Sequence, residues 1–165
     1  MSYFSAFPLI QDYQIGDQLI TSVDITKIVT IDQRTKDNPN NYLSYTIQNE
    51  TPEILADRMY DSADDSWVIL LFNDIFDVDD QWPISYNDFE QYVISKYGES
   101  LYDIKFYRSL QTNAIVDSTH PTYDLLPVTN YEYEIELNDS KRSIKVPVPQ
   151  VAVEIKRTQR KALKR

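Results

Sequence analysis

Residues 49–76 restrict the fold more than any other stretch of this chain. Thr51 is placed to cap a helix, because its side-chain oxygen can accept a free amide of the first turn. Pro52 follows at the first helical position, where its missing N–H costs nothing. Glu53 sits in the first turn, where the helix dipole favours an anion. Ile54, Leu55, Ala56, Met59 and Tyr60 then form an apolar stripe at helical spacing. The run Asp61-Ser62-Ala63-Asp64-Asp65 turns the chain and caps a second helix, expected from Ser66 to about Ile75. That helix is apolar almost all round, from Trp67 to Phe72 and on to Ile75 and Phe76, so it should be the most buried element. Leu55, Met59, Trp67, Leu70, Leu71 and Trp82 are the expected structural core.

The flanks read as follows. Residues 42–48 suit a short strand with Leu43, Tyr45 and Ile47 on one face. Trp82-Pro83-Ile84 can make only a short edge strand, since Pro83 has no amide donor. Ser85, with Asp88 three residues on, starts a third helix. Phe89, Tyr92, Val93 and Tyr97 line its apolar face, and Gly98 ends it. Residues 102–117 suggest a hairpin turning at Gln111-Thr112-Asn113, and 117–130 suggest a loop. Residues 131–137 alternate strictly, with Tyr131, Tyr133, Ile135 and Leu137 opposite Glu132, Glu134 and Glu136. This predicts a strand that turns at Asn138-Asp139-Ser140 into a second one over 143–146. Pro147 and Pro149 end that hairpin, and a short basic helix follows from Gln150. At the other end, residues 13–31 are rich in Ile, Val and Thr, including Ile25 and Ile28, and suggest strands. The apolar Tyr3, Phe4 and Phe7 should pack on something, so they are candidates for a partner interface. The class is α+β. The segments are an N-terminal arm (1–40), a helical module with a third helix (41–100), and a C-terminal part of hairpins and a basic arm (101–165).

Composition bears on chemistry. The chain has 165 residues, no Cys, one His and two Gly. It therefore has no thiol nucleophile, no Cys-ligated metal site, no two-His metal site and no Gly-rich phosphate loop. The Asp77–Asp88 stretch has EF-hand length. It carries Trp82 where such a loop needs Gly and ends in Asp instead of a bidentate Glu, so a solvated acidic loop with helix caps fits better. His120 is followed by Pro121, and no G-x-S-x-G elbow exists for it to serve. With 26 acids, some carboxylate pair always falls at glycosidase spacing, so pairing carries no signal. A non-enzyme without a cofactor is expected.

Charge is segregated. Residues 141–165 hold nine bases and one acid, a net +8, which leaves −18 for residues 1–140 within the formal total of −10. Such a tail can meet nucleic acid, anionic lipid or an acidic protein, or can be a solvated helix end opposing the helix dipole. The acidic body would repel phosphate, which weighs against nucleic acid, and no membrane partner is expected. Lys141, Arg142, Lys156, Arg157 and Arg160 join Tyr131 and Tyr133 as candidate partner contacts. The longest apolar run is six residues, too short to span a bilayer, and the N-terminus lacks a basic n-region. An intracellular protein is expected.

Tyr45-Thr46-Ile47, Glu50-Thr51, Ile54, Ala56, Tyr60 and Asn73 together resemble the LysM module. The longer set Thr51-Pro52-Glu53-Ile54-Leu55-Ala56, Tyr60, Trp67 to Asn73, Trp82-Pro83-Ile84-Ser85 and Lys96-Tyr97-Gly98 resembles the LysM-like baseplate wedge family of contractile-tailed bacteriophages. Val128 to Glu134, Asn138, Lys141-Arg142 and Ile144-Lys145-Val146 extend the likeness, which covers about residues 40–146. Asn49 and Asp61 stand where the family commonly has Gly, and Val78 where it often has Pro; these departures affect loop shape. The resemblance implies a small β-α-α-β module and a non-catalytic structural role in the tail baseplate of a virion, assembled in the host cytoplasm. It also implies six copies per baseplate, with other wedge subunits, the sheath initiator and hub-proximal proteins as partners. The alternative it leaves open is a peptidoglycan- or glycan-binding module, with a groove near 49–51 and 74–80.

Overall fold

In the computed structural model the described residues are 7–15, 18–24, 29–119, 121 and 124–163, with backbone alone at 10–15 and 18–23. Tyr3, Phe4, Gly16, Ile25, Ile28 and His120 lie outside them. The fold is α+β. Its elements run β1 (Leu9–Ile15), β2 (Gln18–Val23), α1 (Gln33–Asp37), β3 (Tyr42–Thr46), α2 (Pro52–Tyr60), α3 (Ser66–Phe72) and α4 (Val78–Gln81). They continue with α5 (Tyr86–Tyr97), β4 (Ile104–Ser109), β5 (Ile115–Val116), β6 (Leu125–Thr129), α6 (Asn130–Ser140), β7 (Ser143–Pro147) and α7 (Pro149–Leu163). The strands pair as β1-β2, β3-β7 and β5-β4-β6. The chain packs as two units, one of Met1–Gln81 with Ile144–Arg165 and one of Trp82–Ser143, which cut across the segments 1–40, 41–100 and 101–165.

The first unit is built around α3. Thr51 Oγ1 accepts from the Ile54 amide, and Pro52 and Glu53 occupy the first turn of α2 as expected. Asp61 closes α2 in the left-handed region at φ 54°, donating its N–H to the Asp57 carbonyl. Helix α3 stops at Phe72 instead of Ile75. The Ile75 amide turns back to the Leu70 carbonyl at 2.9 Å while Asp74 takes φ 56°, a left-handed cap that ends the helix whatever the polarity of the next residues. Val68 and Phe72 pack with Ala152 and Ile155 of α7, and Ile31, Tyr42, Tyr60, Trp67 and Val151 close over this cluster. Leu55 and Leu71 are buried, while Met59, Trp67 and Leu70 are half-buried.

Asn73 fastens the end of α3 to β7. Its Nδ2 donates to the carbonyls of Ile69 (2.8 Å) and Lys145 (2.7 Å), and its Oδ1 accepts from the Lys145 amide at 2.8 Å. A carboxamide carries a donor and an acceptor, so it can pair one residue's backbone as a strand would. The unit thus runs β3, α2, α3 and then β7, with residues 82–143 intervening in sequence.

The second unit has a separate core of Phe89, Val93 and Leu101, with Ile84, Tyr97, Tyr131 and Ile135 packed against it. Ser85 caps α5, accepting from the Asp88 amide at 3.2 Å. Gly98 ends α5 at φ 55°, ψ −125°. A Cβ there would meet open space, so the backbone conformation and not room is what requires glycine. Trp82 is buried.

Several sequence expectations fail here. Residues 131–137 are helix, not strand. Thr129 and Glu132 form a capping box, with each side chain bonded to the other residue's backbone N–H. In α6 the inward positions are Tyr131, Glu134, Ile135 and Asn138, an i, i+3, i+4, i+7 stripe in which two members are polar. The expected C-terminal hairpin therefore does not exist; β7 pairs with β3, and the basic helix, at 15 residues, is not short. Trp82-Pro83-Ile84 is not a strand either. The Ile84 amide donates to Asn138 Oδ1 (2.7 Å) and Asn138 Nδ2 donates to the Ile84 carbonyl (3.1 Å), so a side chain supplies the pairing. In addition, the stretch read as a loop contains β6, antiparallel to β4 with Phe106 opposite Val128. Pro127 is tolerated there because β6 is an edge strand. The hairpin over 102–117 forms as β4 and β5.

Candidate interaction site

Helix α7 carries the clearest division of faces. Ala152, Ile155, Gln159 and Leu163 point into the first unit. Val153, Lys156, Arg157, Arg160 and Lys161 line a shallow groove of about 490 Å³ on another side. The spacing 153, 156, 157, 160, 161 is the helical repeat of a single stripe. Val153 is 61% exposed within it, an apolar centre ringed by bases. Lys156 bonds the buried Asp65 carboxylate at 2.7 Å, and Arg157 pairs with Glu154 at 2.9 Å. Lys156, Arg157 and Arg160 were expected from the sequence. Val153 and Lys161 were not, although the helical spacing that joins them was present in it.

The other candidate contacts are engaged within their own units. Arg142 is buried, 4.0 Å over the Tyr86 ring, and bonds Asp139 and the Ile84 carbonyl. Lys141 is half-buried. Tyr131 packs between Phe89 and Tyr102, at ring separations of 6.2 and 5.9 Å. Tyr133 meets Phe106 edge-on, with Lys105 4.3 Å above its ring. Phe7 is buried. The exposed aromatic and aliphatic groups of the second unit are different ones, including Tyr86, Tyr102, Ile104 and Ile115.

Ionisable groups here are held by specific neighbours. Glu134 is buried and accepts from Lys96 Nζ (3.0 Å) and the Tyr97 hydroxyl (2.7 Å). Bonds to Tyr92 and Glu134 push the Lys96 ammonium up from its ordinary value. Burial, and then the charge of Asp65, pushes the Tyr60 phenol up; its hydroxyl donates to the Pro147 carbonyl at 2.8 Å. At 49–51, the Tyr45 hydroxyl donates to Glu50 Oε1 at 2.5 Å, and Arg58 pairs with Glu50 at 2.8 Å. Burial is the main cause that raises the Tyr45 phenol, followed by its bond to Glu50. At 74–80, Asp74 pairs with the buried Lys36, and Asp77 Oδ1 accepts from the amides of Asp79 and Asp80, capping α4. In the two loops of the glycan-binding alternative, Glu50, Asp74 and Asp77 are thus bonded internally.

Among the described residues no cluster of three or more His, Asp or Glu could hold a metal ion, and no helix is long and apolar enough to cross a membrane. Compared with known proteins, the chain matches no protein-family model and no curated protein.

Proposed function

We propose that the chain is a non-catalytic structural subunit of a contractile phage tail baseplate, acting in the wedge. In this reading it works in six copies in the virion and joins other wedge subunits to the sheath initiator and hub-proximal proteins. The carrying observation is that the two stretches behind the family resemblance are tied together within each unit. Asn73 of the first stretch binds Lys145 of the second, and Ile84 of the first binds Asn138 of the second. Those motifs therefore have a joint structural reason to occur in one chain. The exposed basic stripe of α7 supports the reading as well, since an apolar centre with charged surroundings is the anatomy of a protein interface.

The glycan-binding alternative draws on the β3-α2-α3 order. A LysM-type reading confined to 42–85 leaves out β7, the strand that pairs with β3. Gel filtration of the purified chain with the wedge proteins of its own baseplate tests the proposal. A stable co-eluting complex is expected. Retention on peptidoglycan or chitin, with no complex, would replace this reading with the glycan-binding one.

A further inference from the structure

Two helices of the first unit carry outer faces of opposite charge. On α7, the exposed Val153 heads the stripe of Lys156, Arg157, Arg160 and Lys161. On α2, Ile54 is 56% exposed, and the exposed Glu53, Asp57 and Asp61 run beside it. Residues 53, 57 and 61 recur every fourth position, the helical repeat of a single stripe, with Asp61 just past the end of the helix. Neighbours within the unit leave each face its sign. On α7 the acids Asp65 and Glu154 answer Lys156 and Arg157, two of the four bases. On α2 the base, Arg58, is turned to Glu50, so the three acids keep a negative excess.

We infer that α7 of one copy docks along α2 of a second copy of this chain. The argument is complementarity of charge and of spacing. All α-helices rise about 1.5 Å per residue, so equal sequence offsets on two parallel helices come level. With Val153 set beside Ile54, Lys156 and Arg157 come level with Asp57, and Arg160 and Lys161 with Asp61. An exposed aliphatic group edged by bases thus meets one edged by acids, an arrangement that selects partner and register. At about 0.15 M salt the screening length is about 8 Å, so the mutual repulsion of two chains of net charge −10 is damped while charges in contact still act. The two faces belong to different helices, so the contact is head-to-tail and leads to a ring or an open filament. One helix pair is a small interface, and the association is correspondingly weak. The wedge reading leaves the occupant of the α7 stripe open, and this contact does not rest on it. A chain that fails to bind itself can still co-elute with wedge proteins, so the two readings fail separately.

Sedimentation of the full chain at concentrations up to about 1 mM tests it, the upper end of weak association. The parent should associate as its concentration rises. Asp57→Lys and Arg157→Glu should each weaken association by about tenfold or more, because each sets like charges against one another. Both positions are exposed, so both variants should melt with the parent. An equimolar mixture of the two variants should associate as the parent does. There the Glu at 157 of one chain meets the Lys at 57 of the other, and the remaining faces are unaltered. A contact between like faces of two copies would not be restored by mixing. The inference is overturned if the parent stays monomeric throughout, which would give the α7 stripe to a different acidic protein. It is equally overturned if either variant associates as the parent does, or if the mixture associates no better than the variants alone.

Discussion

The two units solve the same problem with different amounts of chain. The second is one continuous stretch, and its core joins α5 to α6 with Tyr131 and Ile135 less than fifty residues from Phe89. The first unit draws Val68 and Phe72 against Ala152 and Ile155, after the whole second unit has intervened in sequence. Closing the first is therefore entropically costlier, although each doubling of a loop adds only about 0.6 kcal/mol. Each unit uses one asparagine as a staple. Asn73 holds the backbone of Lys145 and Asn138 that of Ile84. In the first unit the held residue lies in a strand that also pairs with β3; in the second the side chain takes the place of the strand. The same carboxamide chemistry reinforces a ladder in one unit and substitutes for it in the other.

Removing each staple tests that parallel. Asn73→Ala deletes three hydrogen bonds and should cost about 3 kcal/mol in chemical denaturation, at about 1 kcal/mol each. Asn138→Ala deletes its two bonds to Ile84 and should cost about 2 kcal/mol, with amide exchange speeding up at Ile84. If Asn138→Ala left both stability and exchange unchanged, the segment around Ile84 would be held by something other than this side chain.

The caps offer a finer contrast. Thr51→Ala and Thr129→Ala should each destabilise by about 1 kcal/mol, the second more because it breaks a reciprocal box. The box also carries a pH signature. Backbone and hydroxyl donors of Thr129 hold the Glu132 carboxyl below its ordinary value. Its contribution is thus present above the unfolded pKa and lost as pH falls through the lower folded one. The gap between Thr129→Ala and the parent should narrow in acid while that of Thr51→Ala stays nearly constant, as melts at neutral and acidic pH would reveal. The smallest expected effect is a gain. Asp61→Gly relieves a left-handed residue at a helix end and should add about 0.5 kcal/mol, part of the relief being offset by a freer unfolded chain.

Alternation misled the reading of 131–137 for a definite reason. The strict exchange of apolar residues with Glu is a period of two, and that is the strand signal. Read at helical spacing, the inward positions include Glu134 and Asn138, which count as polar and so hide the stripe. Glu134 is buried because Lys96 and Tyr97 satisfy it, and both lie far off in sequence. A local signal did exist, for Thr129-x-x-Glu132 is a capping box. The same logic covers Trp82-Pro83-Ile84, whose pairing partner is a side chain that no strand pattern can report.

What the sequence determined by itself was local. Thr51, Pro52 and Ser85 set the starts of α2 and α5, Gly98 set a stop, and the apolar run from Trp67 to Phe72 set where the core of the first unit would lie. Those signals act within one or two turns of backbone, so no distant residue is needed to read them. The tertiary structure decided which strand closes on β3, that residues 131–137 coil, and that Asn73 and Asn138 act as staples. It also decided that the Gln159 side chain is buried on the inner face of α7. Each of these depends on groups dozens of residues apart satisfying one another's hydrogen bonds, and spacing along the chain does not encode that.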